Sequence, residues 1–99
     1  MFEFKLTTPS EIVARAAARM KRRRIDSDLT QRELAVRSGV PYGTLRAFEE
    51  TAKASFETVV KIAFALEAED EFEALFPPRV PRRMSDVLDR PARQRVRKK

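Results

Sequence analysis

The fold of this chain depends on residues 29–50, which read LTQRELAVRSGVPYGTLRAFEE. Thr30 and Glu33 have the spacing of a capping box, in which each side chain accepts a bond from the other's backbone N–H, so a helix is predicted to begin here. Gly39 can adopt the positive φ that ends a helix in the left-handed conformation. Pro41 favours the start of a second helix, where its missing N–H needs no partner. The stretch therefore predicts two short helices joined by a tight turn.

The second of these helices has an apolar side and an outward side. Leu45 and Phe48 are predicted to face the core. Two helices joined in this way form a helix-turn-helix, whose second helix presents its N-terminal side chains to base edges in the major groove of DNA. The predicted base-contacting positions are Pro41, Tyr42, Gly43, Thr44 and Arg46.

These five positions are expected to act in two ways. Tyr42, Thr44 and Arg46 carry groups that reach base edges, and Arg46 has the donors for a bidentate bond to guanine. Pro41 and Gly43 allow close approach instead. A solvent-exposed or phosphate-directed Arg46 is the alternative, and because Gly43 has no side chain, DNA shape is expected to contribute to recognition.

The same stretch resembles the lambda-repressor-like, or XRE, family of helix-turn-helix proteins. That family shares a polar cap, a Gln, a Leu-Ala pair, a Gly-Val pair and a recognition helix with a Leu-x-x-x-Glu ending. The matching positions are Thr30, Gln31, Leu34, Ala35, Gly39, Val40, Leu45 and Glu49. The resemblance implies an all-α, five-helix DNA-binding domain that acts as a dimer on double-stranded operator DNA.

The resemblance also implies roles for residues around the recognition helix. In the family, an arginine seven residues before the Gln pairs with the glutamate near the end of that helix, and Arg24 and Glu49 hold these positions. Relatives usually place a glycine in the following loop, where this chain has Ala52, so that either the loop takes another path or Ala52 is strained. The resemblance places Lys53 and Ser55 at a phosphate-contacting position, and the full set of expected phosphate contacts is Thr30, Gln31, Arg32, Lys53 and Ser55.

Apolar residues at helical spacing predict three further helices. The first is expected to begin at Ser10 and to end in the basic run 21–24. Its predicted buried stripe is Ile12, Val13, Ala16, Ala17 and Met20. The fourth helix, capped by Ser55, is expected to bury Phe56, Val59, Val60, Ala63, Phe64 and Leu66. The fifth begins in an acidic cluster that suits the helix dipole, and is expected to bury Phe72, Leu75 and Phe76.

The two ends of the chain differ from this helical body, which we assign to residues 9–76. Residues 1–8 alternate apolar and polar side chains, which predicts either a short strand that pairs with another chain or an arm that covers the core. Residues 77–99 carry nine basic and two acidic side chains, for a net charge of +7, while residues 1–76 carry twelve basic and thirteen acidic ones. The tail is expected either to attract phosphates or to be a solvated, disordered terminus.

The composition argues against an enzyme. The sequence contains no His and no Cys, so Ser-His-Asp and Cys-His arrangements and thiolate or imidazole metal sites cannot form. Its two glycines, Gly39 and Gly43, do not make a phosphate-binding loop. We therefore expect no cofactor and no metal. No apolar run reaches bilayer length, and the start MFEFKL lacks the order of a signal peptide, so a cytoplasmic, nucleoid-associated protein is expected.

Two functions remain for a binding protein of this kind. The first is a dimeric repressor that binds a pseudo-palindromic operator. The second is an adaptor that binds mainly protein and binds DNA secondarily. The N-terminal FEFK, the phrase KASFETVVKIAFAL and the basic tail resemble the HipB-like antitoxins. That resemblance implies a kinase-type toxin as a protein partner and autoregulation of a toxin–antitoxin operon.

Overall fold

The described part of the chain is all-α, as the sequence predicts. A computed structural model describes residues 7–79. Within them are five helices: α1 (Pro9–Asp26), α2 (Gln31–Ser38), α3 (Tyr42–Thr51), α4 (Phe56–Ala65) and α5 (Glu69–Glu73). The predicted N-terminal strand or arm, except for Thr7 and Thr8, and the tail beyond Arg79 lie outside the described residues.

Helix α1 begins earlier than the sequence analysis predicts. Its N-cap is Thr8, whose hydroxyl accepts a hydrogen bond from the Glu11 N–H while the Glu11 carboxylate accepts one from the Thr8 N–H, both at 3.2 Å. Pro9 follows the cap directly, at a position where a missing N–H has no cost. The prediction of a start at Ser10 was wrong because Glu11 completes a capping box with Thr8. The helix also runs past Arg24 to Asp26.

The boundaries of α2 and α3 follow the predicted signals. Thr30 and Glu33 form the predicted capping box. Gly39 ends α2 with φ 73° and ψ 17°, the left-handed conformation that glycine adopts without a steric penalty. Pro41 is the N-cap of α3 and not its first helical residue, a displacement of one position.

The core lies where α2 packs against both α3 and α4, with α1 lying on α3 and α5 on α4. Leu34, Leu45 and Ile62 are its fully buried large side chains. Each comes from a different helix, so the core fixes the angle between α2 and α3 and thereby the direction in which α3 projects. The buried apolar set is Ala17, Leu29, Leu34, Ala35, Val40, Leu45, Phe48, Ile62, Ala63 and Ala68.

Several predicted core residues are exposed, and those predictions were wrong. The side chains of Ile12 and Val13 on α1, Phe56 and Phe64 on α4, and Leu75 and Phe76 after α5 all face solvent over a large part of their area. Helix α5 ends at Glu73, so Leu75 and Phe76 no longer belong to a helical face. Phe56 contacts Phe72 with ring centroids 5.9 Å apart, but it lies at the edge of the core.

Candidate nucleic-acid interface

The first turns of α3 present a short outward surface. Gly43, Thr44 and Arg46 are exposed, whereas Leu45 and Phe48 on the other side of the same helix are buried. Burying Leu45 and Phe48 in the core therefore keeps the outward residues at the surface. Pro41, the N-cap residue, is exposed beside them.

Gly43 leaves the outward surface of α3 without a side chain at one position. A Cβ added at Gly43 would meet no protein atom within 4 Å, and the residue lies inside a regular helix. The fold therefore does not require glycine here, and glycine is among the poorest helix formers. Its missing side chain leaves the helix backbone exposed at this position.

Tyr42 is placed differently from the sequence expectation of an outward side chain. It is half-buried and packs against the core, and the Arg32 guanidinium lies over its ring, 4.1 Å from the ring centroid. This is a cation–π contact between α2 and α3. It leaves only part of the ring free, and it brings the exposed cation of Arg32 to the start of α3.

Arg46 forms an ion pair that sequence reasoning missed. Its Nε donates to the Glu50 carboxylate at 3.0 Å, and more than half of each side chain is exposed. The Glu50 carboxylate, with a smaller contribution from Tyr42, raises the pKa of Arg46. The signal was available in the sequence, because residues four apart on a helix lie on the same face.

A buried network holds the other end of α3. Arg24 donates to Glu49 through Nε at 2.7 Å and through Nη2 at 3.1 Å, and its Nη1 donates to the Leu29 carbonyl at 2.7 Å. The two side chains are 11% and 3% exposed. Removing one member of such a pair leaves an uncompensated buried charge, which costs about 3–5 kcal/mol.

Gln31 belongs to the same network. Its Nε2 donates to the Glu49 carboxylate at 2.8 Å, and the residue is half-buried. The first residue of α2, the end of α1 and the end of α3 are thus tied through one carboxylate. Since the Gln31 amide has a second N–H, this bond orients the side chain and leaves one donor for another acceptor.

The remaining residues predicted to contact phosphate lie at two helix starts. Thr30 and Arg32 are exposed at the start of α2. Lys53 and Ser55 are exposed in the loop before α4, where Ser55 caps the helix by accepting from the Thr58 N–H at 3.1 Å. Helix N-termini carry unpaired N–H groups and a partial positive charge, and they attract phosphate.

The loop between α3 and α4 takes the strained path that the missing glycine suggests. Ala52 has φ 63° and ψ 19°, and its N–H donates to the Phe48 carbonyl at 2.7 Å. A residue with a Cβ in this region costs roughly 1–2 kcal/mol. Ala52 also packs against the core, so the tight turn is kept despite its cost. Lys53 follows Ala52 directly.

Comparison with known proteins agrees with this geometry. A helix-turn-helix family model matches residues 20–69, from the second half of α1 to the first residue of α5. No curated protein matches the chain. Among residues 7–79, no helix is both long and apolar enough to cross a bilayer. Because the matched segment makes up half of the chain and contains all of α2, α3 and α4, this protein belongs to the lambda-repressor-like (XRE) helix-turn-helix family of DNA-binding transcription regulators.

Proposed function

We propose that this protein is a cytoplasmic repressor that binds operator DNA in a sequence-specific way as a homodimer. The proposal rests on the outward surface of α3, where Gly43, Thr44 and Arg46 are exposed. They are exposed because Leu45 and Phe48, on the other side of the helix, are buried in the core. In a helix-turn-helix of this layout, the second helix enters the major groove by its N-terminal residues.

Within this proposal, the outward residues of α3 make different kinds of contact with the bases. Arg46 makes a bidentate contact with guanine O6 and N7, and Thr44 offers a hydroxyl and a methyl group. The free part of the Tyr42 ring packs on a base edge. Pro41 and Gly43 have no polar side chain and let the helix backbone come close to the bases.

Phosphate contacts are assigned to the two helix starts. Thr30, Gln31 and Arg32 lie at the start of α2, which contacts both ends of α3: Arg32 covers the Tyr42 ring and Gln31 donates to Glu49. Lys53 and Ser55 lie after α3, in the loop before α4. Contacts of this kind fix the register of a protein on the duplex and carry no sequence information by themselves.

The dimer is proposed because the described body leaves apolar surface uncovered. Phe72 is only half-buried and contacts Phe56, which is exposed at the start of α4, and Leu75 and Phe76, which follow Phe72 in the sequence, are exposed as well. Contiguous exposed apolar surface marks an interaction site more often than isolated side chains do. A dimer of this kind would place two recognition helices about 34 Å apart, one helical turn of DNA.

A selection from random double-stranded DNA tests this function directly. We expect one enriched motif with two-fold symmetry and half-sites about ten base pairs apart. Arg46→Ala is expected to weaken binding to that motif roughly tenfold to hundredfold and to relax the preference at one base position. An equal loss on selected and random duplexes would show that Arg46 contacts only phosphate. Failure to enrich any motif would contradict sequence-specific binding.

The antitoxin role is a second candidate. In this role a protein partner, and not a second copy of the chain, occupies the groove between α1, α4 and α5, whose lining includes Met20, Phe72 and Leu75. Phe72 and Leu75 also belong to the surface proposed above for the dimer. Purification of the tagged protein from its own host separates the two candidates. A kinase-like protein bound in equal amounts would support an antitoxin, and its absence under conditions in which the operator is bound would support a stand-alone regulator.

A further inference from the structure

The ion pair on the outward face of α3 engages the side chain that we assign to base reading. Arg46 Nε and Glu50 Oε2 are 3.0 Å apart, and the two side chains are 57% and 59% exposed. The residues are one helical turn apart, so the pair needs no neighbouring helix to form. In the protein without DNA, the Arg46 guanidinium is therefore already held by a carboxylate.

This pair leaves the outward face of α3 without net charge. Gly43, Thr44, Ala47 and Thr51 are exposed and uncharged, and Arg46 and Glu50 contribute one charge of each sign. The outward side chains of α3 thus offer no net charge to phosphate. Apart from the partial positive charge at the helix starts, attraction comes from flanking cations such as Arg32 and Lys53.

The Arg46–Glu50 ion pair is weak enough for Arg46 to exchange Glu50 for another partner. Exposed ion pairs at this spacing add little to stability, because water screens them and two long side chains must be ordered. A phosphate oxygen would replace one anionic partner of Arg46 by another, with little gain. Guanine O6 and N7 are two acceptors fixed at one position in the groove, so this bidentate contact forms only where the sequence supplies a guanine.

We propose that Glu50 is a specificity-determining residue. Its ion pair with Arg46 disfavours a contact between Arg46 and phosphate, whereas a correctly placed guanine replaces Glu50 as the partner of Arg46. The inference rests on the proposed DNA-binding function and deepens it. Glu50 acts through Arg46 and does not itself contact a base. Glu50 lowers the affinity for random DNA more than the affinity for the operator. It thereby raises the specificity ratio, which is the affinity for the operator divided by the affinity for random DNA.

Glu50→Gln tests this role, because glutamine keeps the size of the side chain and removes its charge. Binding to a random-sequence duplex at about 0.1 M salt is expected to tighten roughly threefold to tenfold, with a salt slope steeper by about 0.9, the value for one additional phosphate contact. Binding to the selected operator should tighten less, so the specificity ratio falls.

Two further variants separate this role from a general charge effect. In an Arg46→Ala background, Glu50→Gln should leave affinity for random DNA unchanged, because the residue acts through Arg46. Glu73→Gln removes one negative charge at the end of α5 and should leave the specificity ratio unchanged. Thermal melting of each variant checks that the fold is intact.

Three results would overturn the inference while leaving DNA binding in place. The first is unchanged affinity of Glu50→Gln for random DNA. The second is a gain that persists in the Arg46→Ala background, which would indicate simple repulsion of phosphate. The third is a loss confined to the operator, since a carboxylate that accepts from cytosine N4 would give that result. A wild-type chain that binds no duplex at low salt would instead overturn the proposed function together with this inference.

Discussion

Glu49 and Glu50 are neighbours in the sequence but have opposite environments. The Glu49 side chain is 3% exposed and accepts hydrogen bonds from Arg24 and Gln31. The Glu50 side chain is 59% exposed, and within residues 7–79 its hydrogen-bond partner is Arg46. Burial makes the first pair costly to break, and solvent makes the second easy to exchange. One Arg–Glu pair thus supports the fold, while the other is free to respond to DNA.

The two glycines of the chain allow a test that separates stability from function. Gly39 has φ 73° and ends α2, whereas Gly43 lies within α3 with open space around it. We expect Gly43→Ala to stabilise the protein by about 0.5–1 kcal/mol, because alanine is the better helix former. The same change should weaken operator binding, since the added methyl group lies on the surface that approaches the bases. Urea unfolding and operator titration measure the two effects.

Gly39→Ala provides the matched control. The same added methyl group is expected to destabilise the protein by about 1 kcal/mol or more, since alanine at positive φ is strained. At concentrations where the variant is folded, it should bind the operator as the wild type does. Operator binding by Gly43→Ala at wild-type strength would contradict the close approach of α3 to DNA.

At single residues, the family resemblance predicted one buried contact, whereas two contacts made by residues of the recognition helix were not predicted. The resemblance implied Arg24 beside Glu49, and for the loop after α3 it left either another path or strain at Ala52, of which the positive φ of Ala52 is observed. The Arg32 contact with the Tyr42 ring was not predicted, because it joins two helices through a long, flexible side chain. The Arg46–Glu50 pair was not predicted either, although its four-residue spacing was visible in the sequence.

At the scale of whole elements, capping signals predicted where helices begin better than apolar spacing predicted which faces are buried. Thr30 and Ser55 cap α2 and α4 as expected. The start of α1 was misplaced, although the pair Thr8 and Glu11 has the same three-residue spacing as Thr30 and Glu33. A cap is a local interaction within one turn, whereas burial depends on how the helices are arranged around each other.

The capping box of α2 gives a prediction about pH. The Thr30 N–H donates to the Glu33 carboxylate at 2.8 Å, and this bond, with smaller contributions from the Thr30 hydroxyl and Arg37, lowers the pKa of Glu33 below its ordinary value of 4.5. The unfolded chain therefore takes up a proton at Glu33 more readily than the folded one. The stabilisation from this carboxylate is complete above the unfolded pKa and is lost as pH falls through the folded pKa.

Melting temperatures measured from about pH 3 to pH 6 check this expectation. Glu33→Gln should show a smaller decrease in melting temperature on acidification than the wild type. Glu73→Gln, which removes a carboxylate outside any capping box, controls for the change in net charge. Equal pH dependence in wild type and Glu33→Gln would show that the box does not contribute through its charge.

For the whole molecule, the sequence identified the helices that carry the site but overestimated the core. Leu34, Leu45 and Phe48 are buried as predicted, and they position the outward face of α3. Ile12 and Phe64 satisfy the same helical periodicity yet remain exposed. Periodicity marks the apolar side of a helix, but a body of short helices has too few neighbouring surfaces to cover every such side.

The charge of the whole chain leads to a prediction about salt dependence. Residues 79–99 contain nine basic and two acidic side chains, and the rest of the sequence has a net charge of −1. Each phosphate that a basic side chain neutralises makes the logarithm of affinity fall by about 0.9 per tenfold rise in salt. We expect removal of residues 79–99 to reduce the salt slope of DNA binding by several such increments. The selected sequence should not change, because the recognition helix is intact.

A full-length variant whose nine tail Lys and Arg residues are replaced by Gln separates charge from length. It should reproduce the reduced slope of the truncated chain. If residues 9–76 form the folded unit that we assign, both variants should melt at the wild-type temperature. An unchanged salt slope in both variants would mean that the tail does not contact DNA, and would favour a role for these basic residues in binding a protein partner. A changed preference in the selected sequence would instead place part of the readout in the tail.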